Sequence, residues 1–166
     1  MTCHVEPLGD HDLPAFDCGN AELDEWLRRH ARTATGQGTR TYLLVDDAGS
    51  VVGYFSIAPH LLGRDDAPRR LARGAPEQIP AILLAKLALD SSIQGQGLGA
   101  ELLVFALIVA VTAARRAGGR VVLVDAIDDE ARAFYAHHDF ELLPGTTHRL
   151  VMKLSSAAKA MGVTWP

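Results

Sequence analysis

Gln94-Gly95-Gln96-Gly97-Leu98-Gly99-Ala100 is the stretch on which the fold turns. It follows the apolar run Ile82 to Leu89 and leads into a second one, Leu102 to Val111, so the order reads strand, glycine-rich turn, buried helix. Glycines at such a junction let the backbone approach a bulky anion. The first amides of the helix that follows lack intrahelical partners and sit at the positive end of its dipole. A ligand carrying phosphate is the first expectation.

Three anion-binding patterns compete for these glycines. A P-loop would close with Gly-Lys-Ser/Thr, which is absent. Gly95-x-Gly97-x-x-Ala100 fits the relaxed dinucleotide fingerprint, and Asp125 ends the next apolar run, Val121 to Val124, where a ribose-binding acid would stand. Against that pattern, Asp90-Ser91-Ser92-Ile93 separates the strand from the glycines, and little chain follows Asp125 for a second nucleotide half. The third pattern is Gln/Arg-x-x-Gly-x-Gly/Ala, satisfied by Gln94, Gly97 and Gly99. A plain structural turn can carry the same glycines, so the surroundings have to decide.

At 166 residues with 48% hydrophobic content, the chain is long enough for one core and short for two, so a single domain over residues 1–166 is expected. Its longest apolar run falls short of the roughly 18 to 20 residues that cross a bilayer, and its start shows no basic segment followed by an apolar block. Both point to a soluble cytoplasmic protein. Cys3 and Cys18 have no zinc-like or C-x-x-C spacing and read as reduced thiols, one of them buried. The net charge of −4 gives no global attraction to nucleic acid or to an anionic membrane. Two basic clusters stand out: Arg28, Arg29, Arg32 and Arg40 around the first helix, and Arg64, Arg69, Arg70 and Arg73 after His60. Solvated surface accounts for either.

Met1 to Leu8 reads as an edge strand. Asn20 suits the N-cap of a helix whose apolar side falls at Leu23, Trp26, Leu27, His30 and Ala31. Glu22, Asp24 and Glu25 lie near its positive end and Arg28, Arg29 and Arg32 near its negative end, each worth about 0.3–1 kcal/mol. Thr39 to Val45 and Val51 to Ala58 form a hairpin across Asp46-Asp47-Ala48-Gly49-Ser50. Pro59 to Pro80, with Pro68 and Pro76 between them, reads as a loop holding at most one short helical piece and able to close over a substrate. Leu102 to Ala114 is apolar on every side, the mark of a core helix. Arg120 to Ile127 is a strand, Asp129 to Tyr135 a helix, and Glu141 to Leu154 a hairpin turning at Pro144-Gly145.

That order, over most of the chain, resembles the GNAT N-acetyltransferases: an apolar strand, the third glycine pattern, a long helix, a strand, and a short helix holding a tyrosine. The resemblance implies an α/β fold with a mixed, mostly antiparallel sheet of about six to seven strands flanked by about four helices. It implies acetyl-CoA as cosubstrate and no metal. The pyrophosphate would fall to Gln94, Gly95, Gln96, Gly97, Leu98, Gly99 and Ala100, the pantetheine arm to the backbone of Leu87, Ala88 and Leu89, and a further cofactor contact to Phe134. Within the family, Phe16-Asp17-Cys18-Gly19, Leu23-x-x-Trp26-Leu27, Arg40-Thr41-Tyr42 and Gly53-Tyr54-Phe55-Ser56 resemble the tRNA-acetylating toxins of toxin–antitoxin pairs. So does Pro80 to Asp90, although an arginine more often stands where this chain has Lys86, and lysine lacks the planar fork. That narrower resemblance implies acetylation of the α-amino group of aminoacyl-tRNA, arrest of translation, a small antitoxin partner and a homodimer. Arg28, Arg29, Arg32, Arg40 and Lys86 would then be substrate contacts. A GNAT enzyme for a small-molecule or protein amine, a dinucleotide-dependent oxidoreductase and a noncatalytic CoA-binding regulator stay open as alternatives.

Acetyl transfer needs a neutral amine, a polarised carbonyl and a proton for the departing thiolate. Tyr135 is the candidate donor. Ala131, Phe134, Tyr135 and His138 share one side of their helix, so the ring can anchor in the core while the hydroxyl reaches a pocket edge. His137 and His138 are rivals, but as adjacent helical residues they point apart. An α-amine with a pKa of about 7.7–8.0 is roughly 10–20% neutral at pH 7, against about 0.04% for a lysine amine, so an α-amine acceptor hardly needs a base. Asp90, Asp125 and Glu130 read as cap or turn residues.

Overall fold

The computed structural model describes residues 2–166, so Met1 of the expected edge strand lies outside it. The β-branched and aromatic runs form β1 (Cys3–Pro7), β2 (Arg40–Asp46), β3 (Val51–Gly63), β4 (Gln78–Leu89), β5 (Val121–Asp125), β6 (Glu141–Leu142) and β7 (Arg149–Lys153). They hydrogen-bond in the order β1-β2-β3-β4-β5-β7-β6. Pairing is antiparallel for β1 with β2, β2 with β3, β5 with β7 and β6 with β7. Asp90 N–H bonds Val52 O at one end of the β3/β4 pair and Arg64 N–H bonds Glu77 O at the other, both at 2.8 Å, which makes that pair antiparallel too. The exception is β4 with β5, parallel over Ala81–Leu84 against Val121–Val124. A parallel neighbour demands a crossover, and α4 (Leu98–Ala117) supplies it. The expected mixed, mostly antiparallel sheet is what forms.

The chain divides into two compact units. The first runs to Ala58 and adds Ala85–Ala106. Within it, α1 (Ala21–Glu25) starts at Asn20, whose side-chain oxygen accepts from Leu23 N–H at 3.0 Å. One π-helical turn, Trp26–His30, follows before α2 (Ala31–Gly36), and Ala31 N–H bonds Trp26 O five residues back. That wider turn departs from the 3.6-residue period the sequence implied: Leu23, Leu27 and Ala31 are buried, Trp26 is half-buried, and His30 is exposed rather than packed. The buried set packs with Phe16 on Leu43, Val45 and Tyr54. In the hairpin, the Asp46 carboxylate accepts from Ala48 N–H and Ser50 N–H at 3.0 and 2.9 Å. Thr41 and Ser56, opposite one another and buried, bond to each other at 2.8 Å and so satisfy both hydroxyls.

The second unit comprises Pro59–Leu84 and Leu107–Pro166. Here the expected Pro59–Pro80 loop is shorter than expected: β3 continues to Gly63 and β4 begins at Gln78, and the stretch between them holds a 3-10 turn (Arg64–Asp66) and the expected short helical piece, α3 (Arg69–Ala72). Prolines misled because they remove a donor and keep the acceptor; Pro80 O still accepts from Arg120 N–H at 2.8 Å. Leu62, Leu71, Ile79, Leu123, Leu143 and Val151 form this unit's core. α5 (Asp129–His137) is capped by Asp128, whose carboxylate accepts from Ala131 N–H at 2.8 Å. α6 (Leu154–Ala160) was not anticipated, although Leu154, Ala157 and Ala158, all buried, stand at helical spacing.

α4 corrects two expectations. It buries Leu102, Leu103, Ala106, Ala110, Val111 and Ala114, but Val104 and Ile108 are 49% and 44% exposed, so it is not enclosed on every side. At 20 residues it is also long and apolar enough to cross a membrane by length and composition. The apolar run had understated it, and the buried side belongs to the folded core.

A Cβ on Gly53 would meet Leu89 Cδ2 at 3.1 Å, Ala88 O at 3.2 Å and Leu44 Cβ at 3.3 Å. Gly53→Ala should therefore destabilise the fold by about 1–3 kcal/mol, read as a lower urea midpoint at unchanged m-value.

Candidate active site

The glycine loop has the backbone geometry and open space to receive an anion. Gly95 and Gly97 have φ of +79° and +78°, which side-chain-bearing residues adopt at a cost of about 1–3 kcal/mol. A Cβ at either would find no heavy atom within 4 Å. The constraint is thus backbone conformation, and the space over the loop is open. Residues 94–97 are exposed, and α4 starts at Leu98, presenting the orphan amides of its first turn.

The Gln94 side chain is committed elsewhere, its Nε2 donating to Cys18 O at 2.8 Å and Leu89 O at 2.9 Å. Gln94 therefore braces the loop and has its main chain left for a ligand. Asp90, at the start of the same turn, accepts from Asp17 N–H, Ser92 N–H and the Ser92 hydroxyl. Burial works to raise its carboxyl, but the hydrogen bonds from Asp17 and Ser92 outweigh that and hold it below the usual range. It caps a turn and is no base.

Just upstream, the parallel ladder of β4 with β5 ends at Leu84 opposite Val124, so Leu87, Ala88 and Leu89 lie beyond its last pair. Asp90 N–H bonds β3, and strand alternation then turns the peptide groups of Leu87 and Leu89 towards the other edge. The Leu87 groups and the Leu89 N–H can pair with an extended amide-bearing ligand, while Leu89 O already accepts from Gln94 Nε2.

Two buried tyrosines contrast. Tyr54, in the first unit, is 0% exposed, and its hydroxyl donates to Leu23 O at 2.7 Å. Tyr135, in the second, is 6% exposed and packs edge-on against Phe134 and Phe140 at 5.3 and 5.5 Å. No described residue hydrogen-bonds its hydroxyl, and no buried side-chain oxygen among the described residues lacks a partner, so the Tyr135 oxygen keeps access to solvent. Burial pushes its pKa above the ordinary tyrosine value. Its ring is held by packing, and its hydroxyl stays protonated at neutral pH. The rival histidines differ from expectation: their rings meet at 5.1 Å, and His138 also packs 4.8 Å from Phe134.

The basic candidates serve the first unit's own structure. Arg28 Nη1 donates to Phe16 O at 2.9 Å; Arg32 donates to Gly9 O and His11 O; Arg40 donates to Thr35 O. Arg29 is exposed and only 3.8 Å from Glu25. Lys86 lies 5.4 Å over the Trp26 ring, which itself stacks on Tyr54. Cys3 and Cys18 are free and half-buried. Burial, then Asp24, pushes the Cys18 thiol up to about 11, which removes it as a nucleophile. Among the described residues, no group of three His, Cys, Asp or Glu is placed to hold a metal ion.

Sequence reading missed one cluster: Arg149 grips Asp125 through Nε–Oδ1 at 2.7 Å and Nη2–Oδ2 at 2.9 Å, with His60 Nε2 at 3.4 Å from Nη1. These residues are far apart in the chain, and no local pattern links them. The pair also removes Asp125 as a ribose-binding acid.

An exposed glycine turn between a strand and a crossover helix of a mixed sheet fits an acyltransferase of the acyl-thioester-using kind. Residues 37–142 match the acetyltransferase (GNAT) domain, and the chain belongs to that family. It is 39% identical to a tRNA-acetylating toxin of Mycobacterium tuberculosis (strain ATCC 25618 / H37Rv), over 91% of each chain. AtaT complexed with acetyl-methionyl-tRNAfMet is 29% identical, covering 96% of this chain and 99% of that one, at a TM-score of 0.87. A Tyr-to-Phe mutant of the AtaT toxin, bound to the C-terminus of the antitoxin AtaR and acetyl-CoA, is 27% identical over 98% and 99% of the two chains, at 0.81. Family membership overturns the oxidoreductase alternative.

The two tyrosines should separate on mutation. Tyr54→Phe removes a buried hydrogen bond to Leu23 O, which keeps the Trp26 N–H, and should cost about 0.5–1.5 kcal/mol of stability, whereas Tyr135→Phe should stay within about 0.5 kcal/mol of the parent in thermal unfolding.

Proposed function

We propose that this acetyltransferase is a toxin that uses acetyl-CoA to acetylate the α-amino group of aminoacyl-tRNA and thereby blocks translation. The observation that carries the reading is the end-to-end likeness to the mycobacterial tRNA-acetylating toxin. The AtaT complexes support acetyl-CoA as donor, an aminoacyl-tRNA as acceptor and a small antitoxin as partner. We further propose one acetyltransferase domain over residues 1–166, working in the cytoplasm as a homodimer.

The exposed, left-handed glycines and the first amides of α4 fit a diphosphate, so Gly95 to Ala100 are assigned to it. Leu87, Ala88 and Leu89 offer main-chain groups to the pantetheine arm, and Phe134 a ring contact. Bound acetyl-CoA supplies an activated acetyl thioester. Tyr135 holds a proton at Oη for a departing thiolate, and its raised pKa keeps that proton in place through neutral and mildly alkaline pH. Arg28, Arg29, Arg32, Arg40 and Lys86 are assigned to the RNA side, each through whatever donor capacity its structural bonds leave.

Purified protein should acetylate charged tRNA in preference to polyamines and lysine peptides; acetylation confined to the latter would overturn the acceptor assignment. Gly97→Val, at an exposed φ of +78°, should raise the acetyl-CoA Kd about tenfold or more in calorimetry while the fold persists. Tyr135→Phe should leave that Kd unchanged and lower kcat about 10²-fold. In the parent, kcat/KM should rise with pH through about 7.7–8.0, as the acceptor amine loses its proton, and show no falling limb below about pH 10.

A further inference from the structure

Arg70, Arg73, Arg120 and Lys153 converge on one cavity of about 180 Å³ in the second unit. They come from α3, the residue after it, the approach to β5 and the last position of β7, so no stretch of sequence displays them together. Ile79, Val121 and Trp165 also line the cavity. Arg70 is already paired with Glu141. Among the described residues, no carboxylate lies within ion-pair distance of Arg73, Arg120 or Lys153. The rim is fixed in advance: Arg120 N–H bonds Pro80 O at 2.8 Å, Leu154 N–H bonds Arg120 O at 3.0 Å, and Arg120 Nη1 reaches Gly74 O at 3.4 Å.

Like charges gathered around an open space repel one another, and in a chain of net charge −4 this concentration is not a by-product of general basicity. An anion seated among them relieves that repulsion. A carboxylate is planar and suits one guanidinium fork; Glu141 engages Arg70 through Nη2 alone. Phosphate directs its oxygens to several sides and suits donors arriving from separate elements. Half-buried Trp165 adds an aromatic face on which a base can rest. We propose that this cavity binds a backbone phosphate of the RNA acceptor, positioning it without reading its sequence. The proposal rests on the aminoacyl-tRNA reading above and adds to it a contact lying outside the residues assigned to the acetyl donor.

The test uses the full chain and uncharged tRNA, with binding followed by fluorescence anisotropy over a series of salt concentrations. Arg73 and Lys153 make no side-chain hydrogen bond to any described residue, so Arg73→Gln with Lys153→Gln should preserve the fold, checked by thermal unfolding. The double variant should bind tRNAs of different sequence more weakly by a uniform factor, about tenfold or more at low salt. Its plot of log Kd against log salt should lose about 0.7–0.9 of slope for each charge removed. Acetylation of a small aminoacyl ester without RNA should be unchanged.

An unaltered Kd and slope would overturn the proposal. So would inorganic phosphate quenching Trp165 fluorescence as tightly as a short oligoribonucleotide does, which would make this a site for free phosphate. Equal binding of a polyglutamate peptide would overturn it too, in favour of an acidic protein partner. Trp165→Phe identifies the quenched ring, since Trp26 also fluoresces. If the parent acetylates no charged tRNA, the functional reading falls by that assay alone, while the slope with uncharged tRNA still decides the cavity.

Discussion

The short parallel ladder between β4 and β5 is the constraint from which the rest follows. Four residue pairs, Ala81–Leu84 with Val121–Val124, fix two strands side by side in the same direction. Strands so related cannot be joined by a tight turn, so the chain must leave the end of β4, run back along the sheet and re-enter. α4 is that return path, and the turn that launches it is where the glycines stand. The ladder also ends before β4 does, which leaves the main chain of Leu87 and the N–H of Leu89 with hydrogen-bonding capacity on one edge.

How much of this was legible depended on whether the signal was local. The strand–glycine–helix order, the Asn20 cap, the Asp46 to Ser50 turn and the Pro144-Gly145 hairpin were readable because each is set by neighbours in sequence. The π-helical turn at Trp26–His30 was not, since one extra residue in a turn leaves no mark on apolar spacing until packing shows that His30 faces solvent. Proline frequency in residues 59–80 misled for a related reason: composition cannot say which edge of a strand needs a donor. Contacts such as Arg149 with Asp125, or the four cations around the second unit's cavity, depend on register between distant strands and were invisible to any window along the chain.

At the level of the candidate site, sequence named Tyr135 from its helical setting, and the coordinates supply what a name cannot. Two tyrosines are buried, and the partner of the hydroxyl sets them apart. Tyr54 spends its proton on Leu23 O, whereas Tyr135 keeps its own beside solvent. The same test demotes the basic residues around α1 and α2. Arg28, Arg32 and Arg40 are tied to carbonyl oxygens, so the charge visible in sequence is partly committed to holding the N-terminal segment.

That segment reaches the glycine loop as well. Asp17 N–H bonds the Asp90 carboxylate, Ser91 N–H and hydroxyl both donate to Asp17 O, and the Gln94 amide donates to Cys18 O. The loop is thus stiffened by residues more than seventy positions away in the chain, before any ligand arrives. Linkage makes any coupling through that tether reciprocal: an occupant that fastens the N-terminal segment is itself held less firmly, by the same free energy, when residues 17 and 18 are loosened. A protein that captured this stretch of chain would therefore inhibit from a distance, competing with the donor for order while never touching it.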